Sequence, residues 1–290
     1  MKLLNRGLAL AVMGAGLAAV PMIGVQAAPA AQADDNGLRA MKDQADGSLA
    51  ISGEESTSKV GFVRVKGDGD LFPGHPGASR SDAASKADAY LAKYAANFGA
   101  RPGELKQVDV RKGTSGWTVT YQQSYKGIPV FGGTLKANVD PEGDLTAVNG
   151  FAAPDLALDV TPGRTASQAA ERAIATVTAH PPTAENGGVA DLTGLRAATN
   201  HLVVYREGAV KGDAGKSLLA YQVEVTNVTK QGGNVRDMVF LDANTLKPVN
   251  RYSLVNDALE RYLYTTNYDP NDPAHDNTAP GEVSISGVWG

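Results

Sequence analysis

The chain has no cysteine among its 290 residues. That excludes disulfides, and with them a lipid-modified cysteine at the head of an exported chain. Basic residues are outnumbered, 27 Lys and Arg against 31 Asp and Glu, and they are dispersed. The electrostatic footprint of a nucleic-acid or anionic-membrane ligand is therefore missing. Aromatic residues make up only 6% of the chain while glycine numbers 33, the balance of a soluble protein with many turns and modest cores.

Catalytic motifs are also scarce. The four histidines, His75, His180, His201 and His275, lie at least 21 residues apart, and no His-Glu-x-x-His occurs. A helical pair of zinc ligands with a general base between them has no residues to build it. His75, His180 and His275 read as solvated loop residues, and His201, opening a strand, as half buried. No Gly-x-Ser-x-Gly appears. Gly212-Asp213-Ala214-Gly215-Lys216-Ser217 looks like a phosphate loop but has Val210 where the leading glycine belongs, so it reads as a polar hairpin loop. After Asp68 and Asp70, Leu71, Phe72 and Pro73 supply no further calcium ligand. Asp269, Asp272 and Asp276 read as an acidic linker. The expectation is no catalytic, cofactor-binding or metal-binding residue in this chain.

What is present begins with an export pattern. Lys2 and Arg6 precede residues 8–25, which carry no charge, and small residues follow at Ala27 and Ala33. These features predict a secretory signal peptide over residues 1–33, with cleavage after Ala27 or Ala33. Gly7, Gly14, Gly16, Pro21 and Gly24 dilute the apolar run, and no charged stop-transfer segment follows, which disfavours a retained anchor.

Residues 34–59 are polar and aperiodic and read as a disordered leader. A strand is predicted over 60–65, then turns and a Pro/Gly loop. Ser81 is the predicted cap of a helix whose apolar face is Ala84, Ala87, Leu91, Tyr94, Ala95 and Phe98, ended by Gly99. The period then changes to two, with Trp117, Val119 and Tyr121 alternating with Thr118 and Thr120, and Leu135, Ala137 and Val139 following the same rule. Residues 154–163 read as a linker. Thr165 to Gln168 fits a capping box for a second helix, with Ile174 and Val177 on its apolar stripe. Strands are predicted over 201–206, 218–228, 235–241 and 247–252. The fold class is α+β, as two consecutive units, each a helix packed on an antiparallel β-sheet, over 60–153 and 164–253. Residues 254–290 read as a linker and the start of a further domain.

The sharpest local signal is Tyr125-Lys126-Gly127-Ile128-Pro129-Val130-Phe131-Gly132-Gly133. It reads as a turn at Lys126-Gly127, an extended Ile-Pro-Val segment, an apolar anchor at Phe131 and a glycine pair leading into the next strand. With the helix at 81–98 and the strand Trp117-Thr118-Val119-Thr120-Tyr121-Gln122-Gln123, it resembles the fungalysin/thermolysin propeptide domain. The second half resembles the PepSY domain that follows it, through the helix at 165–179, the strand at 218–228 and Val239-Phe240-Leu241-Asp242-Ala243-Asn244-Thr245.

The resemblance implies a pro-region of a secreted thermolysin-like zinc metalloprotease, acting as intramolecular inhibitor and folding assistant. Its partner would be the cognate protease domain, covalently attached in the precursor. Zinc, with calcium, would belong to that domain and not to these residues. Residues 125–133 are expected to be structural, at an edge-strand junction inside the first unit. The extended stretch 253–280 is the expected cleft-blocking segment. The alternative functions are a stand-alone secreted binding module or protease inhibitor, and an enzyme with an unrecognised site.

Overall fold

A computed structural model describes residues 35–184, 187–229 and 233–255. The signal-peptide reading, and with it Ala27 and Ala33, lies outside the described residues, as does nearly all of 254–290. Among the described residues the fold is mixed α/β and mostly strand, organised as an open sheet of ten strands with three α-helices.

Helix α1 (Asp35–Gln44) and strand β1 (Leu49–Gly53) occupy the segment expected to be a disordered leader. Few apolar residues are needed for this, because they dock instead of standing alone. Met41 is buried, the Tyr94 hydroxyl donates to the Ala40 carbonyl at 3.0 Å, and Lys93 reaches Gln44 at 2.8 Å. A ten-residue helix gains its stability from such contacts and not from its own propensity, so composition alone misreads it.

Strand β1 pairs with β2 (Val60–Val65). The order then runs β6 (Leu145–Gly150), β5 (Ile128–Val139), β4 (Gly116–Tyr125), β3 (Leu105–Gly113), every pair antiparallel. Strand β3 was not foreseen. It is an edge strand in which Val110 is its buried residue, so its sequence carries almost no alternation. In β4 the alternation holds, with Val119 and Tyr121 buried under helix α2 (Arg80–Tyr94).

The N-cap of α2 is Ser79, not Ser81. The Ser79 hydroxyl accepts from the Asp82 amide at 3.1 Å, which satisfies one of the donors that every helix start leaves unpaired. Leu91 and Phe98 are buried as expected, and so are Lys86 and Tyr90. Gly99 closes the following 3₁₀ turn at φ 97°, a left-handed conformation that glycine takes without strain.

Helix α3 (Ala166–Ala179) carries the expected capping box: the Thr165 hydroxyl accepts from the Gln168 amide at 3.3 Å, and Gln168 Oε1 accepts from the Thr165 amide at 3.0 Å. It covers the meander β7 (Arg196–Arg206), β8 (Ser217–Thr226), β9 (Arg236–Asp242), β10 (Pro248–Ser253), burying Ala173 and Val177 against Tyr221, Val223, Val239 and Leu241. Ile174, expected in this core, is only partly buried.

The stretch expected to be a free linker over 154–163 is packed. Leu156 is 3% exposed and shares a cluster with Tyr125, Val130, Ala153 and Val204. Strand β5 serves both halves, since its Val130 pairs in parallel with Val204 of β7.

Candidate functional site

The residues singled out at 125–133 sit where the halves meet. Strands β4 and β5 form a hairpin whose turn residues, Lys126 and Gly127, both have positive φ, 48° and 84°. This is the backbone of a tight two-residue turn, with Tyr125 opposite Ile128. Beyond Ser124 and Pro129 the register breaks: the next paired residues are Gln122 and Thr134. One residue on β4, Gln123, therefore faces four on β5, Val130 to Gly133. Such an excursion is a β-bulge enlarged beyond the usual single residue.

Two glutamines hold the excursion open. Gln122 Nε2 lies 2.8 Å from the Val130 carbonyl, 3.1 Å from that of Gly133 and 2.9 Å from that of Gln123. Gln123 is fully buried, and its amide is satisfied. Nε2 donates to the Ala153 carbonyl at 2.9 Å and to Glu104 at 3.0 Å, while Oε1 accepts from the Ala153 amide at 2.8 Å. A buried amide left without these partners would be costly. Glycine is required next to it. Gly132 has φ 71°, and a Cβ on Gly133 would meet Val130 Cβ at 2.8 Å and Gln123 Cβ at 3.1 Å.

The excursion delivers two apolar residues to the second half. Val130 pairs with Val204, and Phe131 stacks on Tyr205 (centroids 5.8 Å apart) and meets Phe240 at 4.6 Å. Below the turn, Lys126 Nζ donates to the Leu158 carbonyl at 3.0 Å, and the Tyr125 hydroxyl accepts from the Leu158 amide at 3.3 Å. The segment is packed between the two halves, which corrects the expectation that it lies inside the first unit. Its anchor Phe131 inserts among aromatic residues of β7 and β9, which no local pattern in 125–133 reveals. The glutamines were also missed. Gln123 shares strand parity with Val119 and Tyr121, and a polar residue on a buried parity was the available signal.

A second polar centre braces the same sheet from the other end. Lys86 Nζ donates to Asp70 Oδ2 at 2.5 Å and to the Gly143 carbonyl at 2.7 Å, and Asp70 Oδ1 accepts from the amides of Phe72 and Leu145 at 2.8 and 3.0 Å. Partial burial, with Asp70 and Asp140 nearby, pushes the Asp144 carboxyl above the usual carboxylate range. Burial also raises the Tyr121 hydroxyl, aided by its 2.6 Å hydrogen bond to Asp88.

The histidines are scattered. His75 stacks on Phe72 with centroids 4.2 Å apart, and His180 caps the end of α3. His201 is exposed on β7 instead of half buried, and His275 lies outside the described residues. Among the described residues no group of three or more His, Asp or Glu is placed to hold a metal ion. None of the described helices is long and apolar enough to cross a membrane. The Gly212–Ser217 stretch forms the loop leading into β8, with Gly212 at φ 77°.

No curated protein matches the chain. Among solved structures, the Bacillus megaterium YpeB C-terminal domain aligns with a TM-score of 0.32 and 13% identity, over 76% of this chain and 96% of that one. Residues 103–151, which hold β3 to β6 and the whole excursion, match the Fungalysin/Thermolysin Propeptide Motif, and this stretch is a propeptide-like region.

Proposed function

We propose that the chain is the pro-region of a secreted zinc metalloendopeptidase and acts as inhibitor and folding assistant for the protease domain attached to it in the precursor. The observation that carries this reading is the propeptide-motif match over 103–151. The export pattern at residues 1–33 is in keeping with secretion. Covalent attachment makes the association intramolecular, so a modest interface is held at high effective concentration. Tighter binding to the native protease than to its unfolded chain would stabilise the protease on its folding path. Zinc, with calcium, would be held by the protease domain.

The cleft-blocking segment in this reading is the stretch 253–280, which would join the pro-region to the protease. Ser253 is paired within β10 and Leu254 packs against the cluster that holds Phe240, so the deletion that tests the segment begins at residue 256. The test titrates the purified chain against the mature metalloprotease encoded in frame with it. The intact chain inhibits, and deletion of 256–280 weakens inhibition without lowering the melting temperature. A folded chain that fails to inhibit at any concentration, or a deletion that leaves inhibition unchanged, rejects the corresponding part of the proposal.

A further inference from the structure

We infer that the excursion at residues 130–133 couples the two halves into one cooperative folding unit. Each half has a helix and an apolar cluster of its own: Leu91, Phe98, Val119 and Leu135 in the first, Val177, Val223 and Leu241 in the second. Two cores of this kind can melt separately unless something ties their free energies together. The ties here centre on Val130 and Phe131. Val130 supplies a backbone bridge to Val204 and shares the cluster with Leu156. Phe131 extends the aromatic row of Tyr205, Phe240 and Tyr252, whose neighbouring centroids lie 4.9 and 6.0 Å apart.

The backbone of the excursion is tied to the first half: Gln122 holds the carbonyls of Val130 and Gly133 on either side of Phe131, and Gln123 is bonded to Ala153 beside it. A further contact across the boundary is the Arg206 guanidinium, which donates to the Ser56 carbonyl at 3.2 Å. Disorder in either half therefore removes packing from the other. Under the proposed function, one cut that unfolds either half dissolves the whole pro-region. The coupling itself does not depend on what the chain inhibits.

Differential scanning calorimetry of the exported chain reads the coupling directly. The wild type melts in one transition whose van't Hoff and calorimetric enthalpies agree, a ratio of about 1. Phe131→Ala splits the transition in two or lowers that ratio clearly. Leu91→Ala, buried wholly in the first core, shifts the single transition downward without splitting it. Two transitions in the wild type, or a Phe131→Ala profile that only shifts as Leu91→Ala does, overturns the inference. Should Phe131→Ala not fold, native-state hydrogen exchange on the wild type decides instead. The slowest amides of β4 and β8 then show protection within about tenfold of each other, and a wider gap overturns the inference.

Discussion

Lys86 shows how much a single residue can hide. It lies in a helix whose polar positions face water elsewhere, yet it is 2% exposed and its ammonium is shared between Asp70 and the Gly143 carbonyl. Removing one member of a buried pair leaves the other charged and unsolvated, which typically costs about 3–5 kcal/mol. Asp70→Ala is the harsher change, because it strands both the Lys86 ammonium and the amides of Phe72 and Leu145. Its expected cost is in that range, read as a lower urea midpoint. Lys86→Met leaves Asp70 with its two backbone donors and costs less. Equal losses for the two variants would show that the backbone contacts of Asp70 contribute nothing. From the sequence, Lys86 is one more charge on a helix, and the Asp70 that explains it lies 16 residues upstream in a turn.

Elements with a full apolar period were legible, and elements that borrow their stability were not. Helix α2 and strand β4 bury one regular face each, and both were foreseen. Helix α1, strand β1 and strand β3 rest on neighbours: α1 on α2, β1 on β2, and β3 on the edge of β4. Leu91 tests the legible kind. It is 3% exposed in the first core, so Leu91→Ala should cost about 2–5 kcal/mol by transfer and cavity terms together. A change below about 0.5 kcal/mol in chemical denaturation would mean that the buried face of α2 has been misplaced.

For the whole molecule, the prediction concerns peptidase activity. The chain lacks His-Glu-x-x-His, and the structure sets His75, His180 and His201 on a loop, a helix end and an exposed strand position respectively. The purified chain should hydrolyse no casein with or without added zinc. Zinc-dependent cleavage that co-purifies with the chain and is lost in His201→Ala would reject this. The sequence by itself determined the local periods: the strands of the second half, apart from the first five residues of β7, the capping box at Thr165, the end of the first helix region at Gly99, and the motif at 125–133. Each depends on residues close in the chain, whose spacing sets which face is apolar. Only the tertiary structure decided that 154–163 is packed instead of free, and that Phe131 belongs to an aromatic row with Tyr205 and Phe240. Those contacts join positions 74 and 109 residues apart in the sequence. No periodicity encodes them, because what fixes them is the break in register at Gln123, where a buried amide and two glycines turn the strand toward the other half.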